Sequence, residues 1–94
     1  MTNNAYLLDI NAAIAYIDGD KRLETTLNEA EERCTSVIVL GELYYGAENS
    51  LRIQENLAQV EKFAANVHVL NSDPAAARHF GKVNRQLRFH AVEN

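Results

Sequence analysis

Two carboxylates, Asp9 and Glu42, occupy positions at which an α/β protein can carry out chemistry. Asp9 closes the apolar segment AYLLD at residues 5–9, which predicts a strand because it is too short for a helix. Glu42 follows the β-branched segment TSVIV at residues 35–39, within the first turn or so of the next predicted helix. Ligands of open parallel sheets bind beyond the carboxyl ends of the strands, so we expect the two carboxylates to converge there.

The chemistry that such a pair supports is metal-assisted. Carboxylate oxygens are hard ligands that suit Mg²⁺ or Mn²⁺, and such ions stabilise charge on a phosphoryl group and activate water as a nucleophile. Asn11 adds a polar group at the start of the following predicted helix. The structural alternative is that each carboxylate serves only as a helix cap or dipole partner, and this role is the commoner one for a residue placed like Glu42. A charge ending an apolar strand, as at Asp9, costs free energy unless it is exposed in a cleft, paired or metal-bound.

A basic stripe on the last predicted helix is a second candidate site. Arg78, Lys82 and Arg85 follow at i, i+4 and i+7, and Arg88 lies one turn further on. The net charge is −4, so a polyanion would have to be held by a local patch of this kind or through metal ions. The alternative is a solvated helix face whose cations favour the C-terminal end of the helix dipole.

The cysteine and the histidines are weaker candidates for functional residues. Cys34 is the single cysteine, which excludes an internal disulfide, and we interpret it as a reduced, inert thiol. His79 and His90 lie about 16 Å apart along one helix, too far to share one ion, so surface or packing roles are expected for them and for His68. Tyr44 is expected in the core or at an interface.

The elements that must position these groups alternate between strand and helix. Beyond the two strands named above, a third is expected at residues 67–70, and the helices are expected at residues 12–17, from Asp20 to about Arg33, from Leu40, at residues 53–64, and from Pro74 behind an Asp73 cap. Strands separated by amphipathic helices indicate parallel pairing with right-handed crossovers. The predicted fold class is α/β.

The size and composition of the chain agree with one ordinary globular domain. It has 94 residues, of which 47% are hydrophobic and 23% charged, and we assign residues 1–94 to a single domain. The first twenty residues have no basic region, and their apolar stretch is broken by Asp9 and Asn11, which is atypical of a signal peptide or membrane span. We therefore expect a cytoplasmic protein without a membrane partner.

Three segments together resemble the PIN-domain family, specifically the VapC-type toxins of bacterial toxin–antitoxin pairs. LLDINAAIAY is similar to the signature that carries the family's first acidic residue, here Asp9, and its asparagine, here Asn11. SVIVLGELYYGAENS resembles the signature of the second acidic residue, here Glu42. LNSDPAAARHFGKVNRQLR resembles the helix that precedes the third. The resemblance runs from residue 5 to 94.

The resemblance implies a fold, an activity and partners. The fold would be a PIN-like three-layer α/β/α domain, and the activity that of a Mg²⁺- or Mn²⁺-dependent endoribonuclease. Asp9 and Glu42 would be catalytic metal ligands, and Asn11, Arg78, Lys82 and Arg85 would bind substrate. The partners would be RNA, a cognate antitoxin and further copies of the chain. The short helix 12–17 and the helix from Asp20 could form the groove for an antitoxin segment.

The chain departs from the family pattern at two places. Ile10 stands where a small hydroxyl residue is usual, and the chain stops at HAVEN, before the third and fourth acidic residues and strands four and five. In the family sheet order, 3-2-1-4-5, strand one then becomes an edge. We therefore expect a chain that is unstable as a monomer, completed by another copy, or part of a longer product.

Two further functions remain open alongside the ribonuclease. The first is a truncated, catalytically inactive module that binds an antitoxin or another copy. The second is a phosphotransfer domain with Asp9 as nucleophile, which is disfavoured because Asp9 lacks the neighbouring acid that such sites use to hold Mg²⁺.

Overall fold

The computed structural model describes residues 5–87, and from residue 80 onward it describes the backbone. Within this range three strands alternate with five helices. The strands are β1 (Ala5–Leu8), β2 (Glu32–Ser36) and β3 (His68–Leu70). The helices are α1 (Ile10–Ile17), α2 (Lys21–Asn28), α3 (Val37–Glu48), α4 (Ile53–Ala65) and α5 (Pro74–Leu87). The alternation confirms the predicted α/β class.

The strands form one parallel sheet in the order β1-β2-β3. Leu7 of β1 pairs with Cys34 of β2, and Cys34 pairs in turn with His68 of β3. This matches one half of the expected 3-2-1-4-5 order, with β1 at an edge among the residues described. Parallel neighbours place paired side chains on the same face of the sheet, so Cys34 and His68 share a face.

The two faces of the sheet are covered by different helices. On one face Leu8 joins a core built from α1 to α4, whose largest members are Leu27, Leu43, Val60 and Phe63. On the other face Ala5, Cys34 and Leu70 form a smaller cluster against which Ala76 of α5 packs. Because side chains alternate along a strand, a sheet covered on both faces needs these two clusters. The result is the expected three-layer α/β/α arrangement.

The second strand lies earlier in the chain than expected. The prediction of a strand at residues 35–39 was wrong, because β2 ends at Ser36 and α3 begins at Val37. The Ser36 hydroxyl accepts a hydrogen bond from Val39 N at 3.0 Å and so caps the helix. This cap and the tertiary packing of α3 outweigh the β-propensity of the segment VIV. Glu42 consequently lies in the second turn of α3, not in the first.

Other boundaries differ by smaller amounts. Asp9 is not the last residue of a strand: it is the N-cap of α1, which begins at Ile10 instead of residue 12. The helix expected to reach Arg33 ends at Asn28, because residues 32–36 are taken by β2. The Asp73 cap is confirmed by its acceptance of a hydrogen bond from Ala76 N at 2.7 Å.

A buried side chain joins the carboxyl ends of the first two strands. Thr35 is fully buried, and its hydroxyl donates to the Leu8 carbonyl at 2.9 Å. The bond satisfies both polar groups in a setting where an unsatisfied one would cost roughly 1–3 kcal/mol. It therefore fixes the point at which β1 gives way to α1. Among the helices of residues 5–87, none is long and apolar enough to cross a membrane.

Candidate functional site

Asp9 is held at the carboxyl end of β1 by its role as a helix cap. Its Oδ1 accepts a hydrogen bond from Ala12 N at 2.9 Å, and its backbone carbonyl accepts one from Ala13 N. The side chain is half-buried, and its Oδ2 accepts no hydrogen bond from the residues described. The cap therefore orients the carboxylate and leaves one oxygen for a ligand. Asn11 is exposed in the first turn of the same helix.

Glu42 is exposed on α3 and faces α1 across an open depression of about 420 Å³. Ile10 and Ile14 of α1 line this depression, as do Asn56 and Gln59 of α4. Asp9 is not among the lining residues, although its neighbour Ile10 is. The two elements that carry the predicted carboxylates are thus adjacent. No residue of α2 lines the depression, so the expected pairing of α1 with the helix from Asp20 does not form this groove.

The basic stripe lies on the opposite layer of the molecule. Arg78 is exposed on α5, which packs on the face of the sheet away from α3. The structure therefore does not bring Arg78 beside Glu42. Lys82 and Arg85 lie in α5, which confirms their predicted helical spacing. Their side chains lie outside the described part of the structure. His90 and Arg88 also lie outside the described residues.

The chemical character of the two predicted carboxylates fits Mg²⁺ or Mn²⁺. Both offer hard oxygen atoms, one half-buried with an unused oxygen and one exposed beside α1. They do not form a group of three metal-ligating side chains with any other residue described. Such a pair would leave most of the coordination sphere of a Mg²⁺ ion to water, which that ion tolerates.

A second group of ligand-type side chains was missed from the sequence. Glu32 and Cys34 of β2 and His79 of α5 place one ligand atom each within 4.8 Å of one another. His79 Nε2 lies 3.0 Å from Glu32 Oε2. Cys34 has no exposed surface. Burial, then the negative charge of Glu32 and a hydrogen bond to it, raise the pKa of the Cys34 thiol to about 12.

The misplaced strand explains why this group was overlooked. Glu32 and Cys34 share a face only if both lie in a strand, and the prediction assigned residue 32 to a helix. The spacing of His79 and His90 along one helix does not indicate that His79 contacts the sheet. If a strand had been predicted at residues 32–36, the i, i+2 spacing of Glu32 and Cys34 would have placed both side chains on one face of the sheet.

Comparison with known proteins identifies the family of this fold. The model of the PIN domain family matches residues 6–92. This chain belongs to the PIN domain family. The family assignment confirms the resemblance carried by the segments around Asp9 and Glu42.

Several relatives share this PIN domain in sequence. The chain is 38% identical over 85 residues to "Ribonuclease VapC2" of Haemophilus influenzae and, over an equal length, to "tRNA(fMet)-specific endonuclease VapC" of Shigella flexneri. Each match covers 87% of this chain and 64% of the relative. The chain therefore spans a little under two thirds of the length of these curated relatives.

Solved structures show the same fold. A crystal structure of DNA-bound VapBC from Salmonella typhimurium matches with a TM-score of 0.65 and 39% identity, covering 86% of this chain and 63% of that one. VapBC2 from Rickettsia felis, bound to a fragment of promoter DNA, matches with a TM-score of 0.62 at 21% identity, covering 86% and 64%. At that identity the second likeness concerns the fold alone.

Proposed function

We propose that this PIN domain acts as a VapC-type endoribonuclease that hydrolyses RNA phosphodiesters with the help of Mg²⁺ or Mn²⁺. The observation that carries the proposal is the position of Asp9, which is fixed by its cap at the carboxyl end of β1 with one oxygen unused. Two relatives, each 38% identical over 85 residues and named a ribonuclease and a tRNA(fMet)-specific endonuclease, support the same activity. Metal identity and substrate class are part of the proposal.

Each residue of the site has a proposed role that follows from its placement. Asp9 and Glu42 hold the ion, Asp9 through the oxygen that does not cap α1 and Glu42 from the exposed side of α3. Asn11, in the first turn of α1, would orient Asp9 or the substrate. When bound, the ion supplies an activated water and stabilises negative charge on the phosphoryl oxygens.

The basic residues act at a distance from this centre. Arg78 on α5 is separated from Glu42 by the sheet, so its proposed contact is with phosphates away from the scissile bond. Lys82 and Arg85 extend the same helix and are assigned the same role. Loss of one such contact should weaken RNA binding and reduce its salt dependence without removing the chemistry.

The proposed partners are a cognate antitoxin and further copies of the chain. Support for the antitoxin comes from the similar Salmonella typhimurium structure, which is a VapBC assembly. The depression is mostly apolar, with Ile10, Ile14 and Ile17 on one side and two acidic residues, Asp18 and Glu42, in its lining. This lining suits an amphipathic segment carrying a cation. An antitoxin placed there would cover Glu42.

One observation favours a second function, that of a non-catalytic binding module. Across residues 5–87, neither Asp9 nor Glu42 belongs to a group of three converging ligand-type side chains. Two carboxylates hold a divalent ion weakly, so a module that only binds an antitoxin or another copy is the competing function.

Cleavage of a labelled single-stranded RNA by the purified chain distinguishes the two functions. Reactions with Mg²⁺, Mn²⁺ and EDTA would be compared for the wild type and for Asp9→Asn. The matched control is Asp20→Asn, because Asp20 also caps a helix, with its Oδ1 accepting from Leu23 N at 3.0 Å. Asparagine caps nearly as well as aspartate, so both variants should fold.

We expect metal-dependent cleavage by the wild type and by Asp20→Asn, and a loss of about 100-fold or more in Asp9→Asn. Equal cleavage by Asp9→Asn and wild type, or no cleavage by either in any metal, would contradict the ribonuclease and leave the binding module.

A further inference from the structure

We infer that Glu32, Cys34 and His79 form a transition-metal site, suited to Zn²⁺, between the sheet and α5. The site belongs to the amino-terminal part of β2, away from the carboxyl-end position of Asp9. It is independent of the proposed nuclease chemistry. The inference rests on the convergence of an oxygen, a sulfur and a nitrogen ligand from two separate elements.

The strand geometry accounts for two of the ligands. Glu32 and Cys34 are alternate residues of β2, so their side chains leave the same face of the sheet. This is the face that α5 covers, as the packing of Ala76 against the cluster that contains Cys34 shows. His79 lies three residues beyond Ala76, one helical turn along the same side of α5.

The spacing of the ligand atoms matches what a small ion requires. The three atoms lie within 4.8 Å of one another, and His79 Nε2 is already 3.0 Å from Glu32 Oε2. Ligands at about 2.0–2.3 Å from a tetrahedral ion are separated by roughly 3.3–3.8 Å. The 3.0 Å contact is shorter than this range and the 4.8 Å limit is longer, so small side-chain movements would bring the three atoms to tetrahedral positions.

His68 lies beside the three ligands without belonging to their group. It pairs with Cys34 across β2 and β3, which puts it on the same face. Its ring centroid lies 5.9 Å from that of His79. The fourth ligand is therefore either this exposed imidazole or a water molecule.

The type of donor selects the metal. A thiolate, an imidazole and a carboxylate form a borderline-soft set that binds Zn²⁺ in preference to Mg²⁺, which takes oxygen ligands. Ion entry is open, because the side chains of Glu32 and His79 keep about a third of their surface exposed, at 34% and 36%. Cys34 is fully buried and lies on the inner side of the site.

Metal binding changes the protonation of the site in a defined way. The neutral Cys34 thiol loses its proton to solvent as the metal–sulfur bond forms, and His79 binds as the neutral imidazole. The Glu32–His79 contact is replaced by two bonds to the ion. The affinity for the ion should consequently rise with pH.

Cobalt binding tests the site directly. Co²⁺, a spectroscopic substitute for Zn²⁺, would be titrated into the full chain, and Zn²⁺ would then be added as competitor. We expect a thiolate-to-cobalt charge-transfer band and a one-to-one complex that Zn²⁺ displaces. Cys34→Ser should abolish the band, and His79→Gln and Glu32→Gln should each weaken binding by about 10-fold or more.

The matched control is Glu31→Gln, since Glu31 is the exposed neighbour of Glu32 in sequence. It should bind Co²⁺ as the wild type does. Circular dichroism of each metal-free variant would establish that it is folded. Absence of a charge-transfer band in the folded wild type, or equal loss of affinity in Glu31→Gln and Glu32→Gln, would overturn the inference and leave the Glu32–His79 contact as a simple hydrogen bond.

Discussion

Two acidic residues that each follow an apolar segment, Asp9 and Glu42, acquire different environments in the fold. Asp9 is half-buried and oriented by a hydrogen bond, whereas Glu42 is exposed beside α1. The alternative role considered for both carboxylates is that of a helix cap or dipole partner. Asp9 does have this role, because it caps α1. Capping does not exclude a metal-binding role, since it uses a single oxygen.

Cys34 provides a prediction at the scale of one residue. The metal-free chain, treated with EDTA at pH 8, should react with iodoacetamide at least about 100-fold more slowly when folded than in denaturant. The first reason is that Cys34 has no exposed surface. The second is that its pKa, raised from 9.0 to about 12, keeps the thiol neutral where an unfolded thiol begins to ionise.

Mass spectrometry of the alkylated protein over time would measure these rates. The same protein in denaturant provides the control, because it has the same thiol without the fold. Equal rates in the two states would show that Cys34 is exposed and ionised in solution.

At the scale of elements, the sequence predicted which elements exist better than where they end. The Asp73-Pro74 signal located the start of α5, and apolar spacing located α4, because both signals are local. The β2–α3 boundary was misplaced since VIV favours a strand by propensity and enters a helix by tertiary packing. Because of that single error, Glu42 was predicted one helical turn too close to the start of α3. The same error concealed that Glu32 and Cys34 lie on one face of β2.

The Ser36 cap supports a prediction at this scale. Ser36→Ala should lower the free energy of unfolding by about 1 kcal/mol, because Val39 N loses its side-chain acceptor at the start of α3. Urea denaturation followed by circular dichroism would measure the change.

Ser72→Ala is the control for the Ser36 cap, because Ser72 is exposed and has no described hydrogen bond. Its effect should stay within about 0.5 kcal/mol. A Ser36→Ala variant as stable as Ser72→Ala would mean that packing alone determines where α3 begins.

At the scale of the whole molecule, the sheet and its layers agree with the family. β1 pairs on one side within the described residues, and several large apolar side chains are exposed, among them Ile38, Tyr45 and Leu51. An unpaired strand edge and exposed apolar surface both favour association. The homo-oligomer expected from the sequence remains a prediction.

Sedimentation velocity over a range of concentrations tests this association. We expect the purified chain to sediment as a dimer or larger species whose proportion falls on dilution, because association is governed by mass action. Moderate urea should shift it to unfolded monomer without a folded monomer in between. A folded monomer that persists at high concentration would contradict the prediction.

The hydrogen bond between Thr35 and the Leu8 carbonyl has a consequence for how the proposed nuclease site is built. It ties the last residue of β1 to the neighbouring strand, immediately before the chain turns into α1. The corner that carries Asp9 is therefore anchored from inside the sheet and cannot pivot without breaking a buried bond. The orientation of the Asp9 carboxylate is thus set by a buried hydrogen bond inside the sheet. A substitution of Thr35, which contacts no ligand, can therefore misalign that carboxylate.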